Sequence, residues 1–328
     1  MKNHPIKVSI IVPVYNAGKY LQTCLNSLIE QTLKEIEIIV VLDKPTDGSD
    51  EVVKHFAQKD LRIKIIENEI NLRTGLSRNK GMDCAVGEYI GFCDHDDFCL
   101  PEMFEHLYYK AINDHLDICG CNYIRKIEAG NKEIECRCSD ESDKNKGITE
   151  IIRCHEDGII FVWNHIYRAE LIRENKINFV NSANMISEDV IFSLQTHFFA
   201  RTAGNIDDYL YCHIWYPQST GAGHAYFSTK NTIVYLEHLY FLLSEYKLLN
   251  NSNKEAYVEC TARRLYTSFH RSLKQLTLKG TLKNIYLMRQ SAVIKKNIPF
   301  KYLLKLLCKK PTAALLLFLV KLFTVNRL

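Results

Sequence analysis

Three carboxylates crowd one short stretch of this chain: Asp94, Asp96 and Asp97, in the run G-E-Y-I-G-F-C-D-H-D-D. Carboxylates packed this closely repel one another unless a cation sits between them. Hard oxygen ligands of this kind select Mg2+ or Mn2+, and Mg2+ keeps waters and substrate phosphates in its shell. The cluster is therefore a candidate cradle for a metal-bound diphosphate. The plainer alternative is a solvated acidic turn ahead of a helix that opens at Pro101. A second acidic pair, Glu188-Asp189, precedes the amphipathic segment 190–199. There it complements the positive end of a helix N-terminus.

These acids need a scaffold that holds them at fixed positions. Residues 8–14 are apolar without a break, as in a strand buried on both faces. The pattern then predicts a helix over 20–33, a strand over 36–42, a helix over 50–56 and a strand over 63–66. A helix over 74–85, a strand over 88–93, a helix over 101–112 and a strand over 117–123 follow. Strands alternating with helices imply a parallel sheet covered on both faces, with ligands beyond the carboxyl ends of its strands. The polar residues of interest stand there. Val14-Tyr15-Asn16 ends the first strand, Asp43 the second, and Asp94 to Asp97 follow the fourth. Residues 130–147 read as a loop or hairpin, 159–172 as a further patterned stretch, and 209–216 as an aromatic strand. Beyond about 227 the spacing is helical, with Tyr235, Leu236, Leu239, Tyr240 and Leu243 as one stripe.

Four motifs in order, V-P-V-Y-N, V-L-D-K-P-T-D-G-S, S-R-N-K-G and G-E-Y-I-G-F-C-D-H-D-D, resemble the family 2 glycosyltransferases over about residues 6–220. The resemblance implies an α/β fold of the GT-A (Rossmann-like) type, a mostly parallel sheet flanked by helices, here with a C-terminal helical extension. It also implies inverting transfer from a nucleotide-sugar donor with Mn2+ or Mg2+ as cofactor. By resemblance, Pro13, Val14, Tyr15 and Asn16 wall the nucleotide. Asp43 accepts a hydrogen bond from the base, usually uracil; Leu42 stands where the family usually has another acid. Arg78, of the Arg78-Asn79 pair, contacts the donor, and Arg73 is a second candidate. Asp94 and Asp96 are the D-x-D metal ligands and donor contacts. His95 replaces a small residue, and its imidazole either approaches the metal or points away. Asp189 is the catalytic base, and Glu188 and Asp189 also border the acceptor. Trp163, in a W-N-x-x-Y-R stretch with Asn164, Tyr167 and Arg168, either lines the acceptor site or is a core tryptophan; His165 stands where Lys is common. After Tyr216 the family often shows Y-R-x-R-x-x-S. This chain reads Y-P-Q-S-T-G-A-G-H, so the arginines are missing, Ser219 and Thr220 fit, and His224 is a stand-in.

Composition narrows the classes. There is no G-x-x-x-x-G-K-[ST] and no G-x-G-x-x-G after the first strand, which disfavours a P-loop NTPase and a dinucleotide oxidoreductase. Spanning helices and a Q-x-x-R-W motif, as in processive polysaccharide synthases, are not found, so transfer of one sugar onto a glycan or lipid-linked acceptor is expected. The 12 cysteines form no C-x-x-C pair, which fits a reducing cytosol, and the first strand is too short for a signal peptide. Charge is uneven: after Glu259 come 15 Lys and Arg and no acid. Apolar residues flanked by Lys301, Lys305, Lys309, Lys310 and Lys321 suit a helix lying on an anionic membrane surface, or else a helix of the C-terminal core. Residues 1–226 are expected to form the GT-A domain, with a donor half (1–125) and an acceptor half (126–226). Residues 227–328 are expected to be a basic, membrane-associating helical region. The expected location is the cytoplasm, peripheral on the inner face of the membrane, without nucleic acid. The competing reading is an inactive GT-A-like nucleotide-binding or membrane scaffold protein.

Overall fold

The computed structural model describes residues 5–128, 132–138, 142–153, 160–182, 185, 187–216, 228–273, 286–287 and 291. Ser219, Thr220, His224 and the basic tail from 298 lie outside the described residues. The chain divides into two compact units. One comprises 1–151, 155–183 and 188–217; the other comprises 152–154, 184–187 and 218–328.

In the first unit, β1 (Val8–Val14) and β2 (Ile36–Leu42) are buried at every position. That is what unbroken apolar runs dictate when helices cover both sheet faces. With β3 (Ile63–Glu67) and β4 (Tyr89–Phe92) they form a parallel array in the order β3-β2-β1-β4. Alternate residues serve opposite faces. Val8, Ile10 and Val12 pack with Leu21, Leu25 and Leu28 of α1 (Leu21–Ile29) and with Val53 of α2 (Ser49–Lys59). Ile11, Ile39 and Val41 pack with Met82 of α3 (Arg73–Cys84) and with Phe179 and Phe192. The helix predicted over 20–33 stops at Ile29. Past it, Gln31 and Thr32 bond the carbonyls of Leu100 and Pro101, and those tertiary bonds outweigh continued helix.

Past β4 the sheet is mixed. After β5 (Phe98–Cys99) and α4 (Met103–Asn113), β6 (Ile118–Ile127) runs parallel to β9 (Ala203–Trp215). A short strand unforeseen in the pattern, β8 (His165–Arg168), is antiparallel to both β4 and β6 and joins the two halves. It was illegible because its four residues include His165 and Arg168 and show no alternation. The segment expected as a loop or hairpin contains β7 (Lys132–Cys136), a hairpin partner of β6, and leads into α5 (Lys144–Arg153). Next come α6 (Ala169–Glu174) and α7 (Glu188–Phe199).

Close approach explains two glycines of α3, Gly81 of the third motif and Gly75 ahead of it. A Cβ on Gly81 would lie 2.4 Å from Ile11 Cγ2, so α3 rests directly on β1. A Cβ on Gly75 would lie 2.5 Å from the Val180 carbonyl oxygen, so the first turn of α3 meets the chain leading to α7.

In the second unit, α8 (Thr229–Glu245) begins with a Ser228 hydroxyl accepting from the Asn231 N–H (3.2 Å), an N-cap that satisfies an otherwise orphan donor. Tyr235, Leu236, Leu239 and Leu243 of the expected stripe are fully buried. Tyr257 of α9 (Asn251–Leu273) donates to the Leu236 carbonyl at 3.0 Å. Among the described residues no helix is long and apolar enough to cross a membrane.

Candidate active site

The acids after β4 part company. Asp94 keeps a side-chain exposure of 28% and accepts from Arg78 Nη2 at 2.7 Å. Asp96 Oδ2 accepts from the Tyr216 hydroxyl at 2.8 Å. Asp97 turns inward, only 2% exposed, and accepts from the Ile214 N–H (2.7 Å) and the Tyr211 hydroxyl (2.8 Å). Burial pushes its carboxyl well above the usual range, and Asp96 and Asp94 add to the rise. The three-acid cradle is thereby corrected to two open acids, with the third tying the loop to β9. His95 Nδ1 donates to the Pro13 carbonyl at 3.0 Å, since a carbonyl only accepts. That bond joins the end of β1 to the acidic turn.

Arg78 is the centre of the arrangement. It is 1% exposed and rests on aromatic rings, 5.2 Å from the Phe179 centroid and 5.9 Å from that of Phe92. Its fork holds Asp94 on one nitrogen and Asp189 on the other, in a close ion pair, with Glu188 4.0 Å away. Burial works against the guanidinium charge, but Asp189, Asp94 and Glu188 outweigh it, so its pKa is raised and it stays charged. Asp189, one quarter exposed, sits in the first turn of α7. Its carboxyl is raised to about 7, foremost by burial; Arg78 pulls it down, and Glu188 and Asp94 push it up. In this structure the terminal nitrogens of Arg78 are engaged by the protein's own acids. Asn79 completes the join. Its side chain donates to the Phe179 carbonyl (2.9 Å) and accepts from the Phe179 N–H (2.8 Å). The Arg-Asn pair therefore fixes the chain ahead of α7 to α3.

At the other strand ends, Asn16 adopts a left-handed φ of 49° and accepts from the Thr46 N–H at 2.8 Å. Tyr15 beside it is 42% exposed. Asp43 is buried. Its Oδ1 accepts from the Leu72 N–H (2.7 Å) and Asn68 (2.9 Å), and its Oδ2 from the Arg73 N–H (2.8 Å). In this structure Asp43 anchors the turn into α3, and Arg73 contributes its backbone rather than its exposed side chain.

Trp163 is 3% exposed and stacks on Tyr211 (4.3 Å) and Phe161 (4.7 Å), with Tyr123 edge-on at 4.9 Å. The acceptor-lining expectation is corrected: this indole belongs to an aromatic core, where neighbouring rings occupy the surface a sugar would need. Asn164 and His165 are likewise buried, and Arg168 pairs with Asp117 at 3.1 Å. Tyr211, Tyr216 and Phe179 escaped sequence reading because aromatic side chains carry no positional signal of their own.

The sequence model described as "Glycosyl transferase family 2" matches residues 9–175, about half the chain. The chain belongs to glycosyl transferase family 2. EpsH of Bacillus subtilis (strain 168) is 35% identical over 207 residues, covering 62% of this chain and 59% of that protein. EpsJ of the same organism, named as an uncharacterized glycosyltransferase, is 33% identical over 215 residues, covering 65% and 62%. The match thus spans about three fifths of the length of these relatives. A solved structure of S. aureus TarS 1–349 in complex with UDP-GlcNAc superposes with a TM-score of 0.71 at 21% identity, covering 97% of this chain and 89% of that one. The fold of this family 2 member is the mixed α/β GT-A type.

Two carboxylates at the expected D-x-D position of the family pass a simple test for a divalent cation. Asp94 and Asp96 each use one oxygen toward the protein and, among the described residues, have the other available, and carboxylate oxygen is the ligand chemistry that Mg2+ and Mn2+ take. Neither acid is buried, so a substrate can complete the shell.

Proposed function

We propose that this chain is an inverting, metal-dependent glycosyltransferase of the hexosyltransferase type. It moves one sugar from a nucleoside-diphosphate donor, a UDP-sugar, to a hydroxyl of a glycan or lipid-linked acceptor in cell-surface polysaccharide synthesis. The observation that carries the reading is Arg78 holding Asp94 and Asp189 on one buried fork. An acid suited to the departing diphosphate and an acid suited to the attacking hydroxyl are thereby set within one guanidinium's span. The UDP-GlcNAc bound by TarS, a protein of the same fold, supports the choice of UDP.

Asp94 and Asp96 would hold Mn2+ or Mg2+, which when bound neutralises charge on the leaving diphosphate. Tyr15 and Asn16, with Pro13 and Val14 at the end of β1, wall the nucleotide, and Asp43 keeps the adjoining turn in place. Asp189 accepts the proton of the acceptor hydroxyl as its oxygen attacks the anomeric carbon from the face opposite the leaving group, and Glu188 flanks it. The new glycosidic bond forms as the bond to the diphosphate breaks, with the electron pair leaving on UDP. Incubating the protein with UDP-sugars and Mn2+ is expected to release UDP slowly by transfer to water, with the release lost on adding a chelator and in Asp96→Ala. Nucleotide binding with no turnover on any donor or acceptor would instead favour the inactive scaffold.

The reading extends to the membrane. The basic, apolar segment from 298 would lie on the inner face of the cell membrane and bring the site to lipid-linked acceptors. Full-length protein is expected to co-float with vesicles containing anionic lipid. A variant with Lys301, Lys305, Lys309 and Lys310 changed to Gln is expected to stay at the bottom of the gradient, because each lysine near an anionic surface contributes about 1 kcal/mol. Equal flotation of both would refute this placement.

A further inference from the structure

We propose that Tyr216 is a positioning residue for Asp96, fixing the orientation in which that carboxylate presents its open oxygen to a metal-bound diphosphate. This role rests on the reading of Asp94 and Asp96 as the metal-binding acids. Each acid of the cluster has its own holder. Asp94 is held by Arg78, Asp97 by Tyr211 and the Ile214 N–H, and Asp96 by Tyr216, whose hydroxyl donates to Oδ2 at 2.8 Å. Asp96 is attached to the chain at a half-buried turn, and without a partner its side chain would sample several rotamers.

The phenol is itself well supported. Tyr216 leaves the end of β9, and its ring stacks on Tyr20 with centroids 5.0 Å apart and planes inclined by 26°. The Tyr20 hydroxyl donates to Glu128 Oε2 at 2.9 Å, and Lys19 closes an ion pair on the other oxygen of that carboxylate. The donor is thus carried by two pieces of scaffold at once, the end of β9 and the turn before α1. A phenol carries its proton throughout the physiological range, so Tyr216 serves as a donor there. A hydrogen bond from a fixed neutral donor orients a ligand carboxylate without cancelling its charge. Outer-shell partners of this type typically contribute about 10–100-fold to metal affinity.

Tyr216→Phe keeps the ring on Tyr20 and removes only the donor. Calorimetric titration of UDP in the presence of increasing Mn2+ is expected to show the Mn2+ midpoint raised about tenfold. The donor KM should rise in parallel, while kcat at saturating Mn2+ and donor stays within about twofold of wild type and the thermal melt is unchanged. Tyr20→Phe, which keeps the stack and breaks the link to Glu128, is expected to bind Mn2+ and UDP as wild type does. Unchanged or tighter Mn2+-dependent binding in Tyr216→Phe would overturn the role, and so would equal weakening in Tyr20→Phe, which would point to the Tyr20–Glu128 link and not to the Asp96 hydrogen bond. If wild type itself bound UDP without regard to Mn2+, the metal reading would fall and take this role with it. Wild-type dependence on Mn2+ with an indifferent Tyr216→Phe would remove Tyr216 alone.

Discussion

Asp189→Asn is expected to lower transfer about 10²–10⁴-fold, the usual worth of a positioned general base, while leaving Mn2+-dependent UDP binding near wild type. The amide matches the carboxylate in shape and can still accept from Arg78, and Arg78 retains Asp94, so the fold should persist. The pH profile supplies a sharper test. The Asp189 carboxyl is raised to about 7, by burial above all, against the pull of Arg78 and with Glu188 and Asp94 adding to the rise. Below that value the group holds its proton and cannot take another. Wild-type kcat/KM, which reports the free enzyme, should therefore fall about tenfold per pH unit on the acid side of neutrality. The residual activity of Asp189→Asn should lack that limb. The sign for stability is the reverse. A carboxyl whose folded pKa is raised favours the fold while protonated, and that contribution disappears as pH rises from the ordinary carboxyl range through about 7. Near-normal turnover in Asp189→Asn would pass the base role to Glu188; an acid limb unchanged by the substitution would assign the titration to another group.

Arg78→Met is expected to be the most damaging single change to stability, at about 3–5 kcal/mol, the typical cost of breaking a buried ion pair from one side. Methionine fills part of the volume over Phe92 and Phe179, so most of the loss is electrostatic: Asp94, Glu188 and Asp189 lose the positive charge they share. The loss should depend on pH in a definite direction. Without the guanidinium, which pulls its pKa down, Asp189 holds its proton to higher pH, so the variant is penalised most where that acid must ionise. Urea midpoints compared at about pH 5 and pH 8 should show a clearly larger gap from wild type at the higher pH. An equal gap at both would mean that packing, and not charge, explains the arginine. Arg78→Lys should recover part of the stability, because an ammonium restores charge but cannot bond both acids as the planar fork does.

The parallel half of the fold was plain in the amino-acid order. Strands buried on both faces have no choice but unbroken apolar runs, and β1 and β2 match the expected 8–14 and 36–42. The second half was harder to read. β8 and β5 are short and draw their stability from neighbours remote in sequence, so neither period nor propensity marks them. The site divides in the same way. Asp94, Asp96 and Asp189 stand out because acids at strand ends and helix starts are conspicuous by type. Trp163 was ambiguous because an indole suits a sugar and a core equally well, and only the stack with Tyr211 and Phe161 decides for the core.

Residue type and local order alone thus determined the family, the parallel strands and the acids that chemistry would require. Tertiary structure alone decided which acid faces inward, that Tyr216 holds Asp96, and that Arg78 serves two carboxylates 16 and 111 residues away. The reason is one of range. Strand and helix patterns follow from steric and solvation preferences that act over a few neighbouring residues. A buried charge is settled by whichever counter-charges the folded chain brings to it, and no local pattern records that choice.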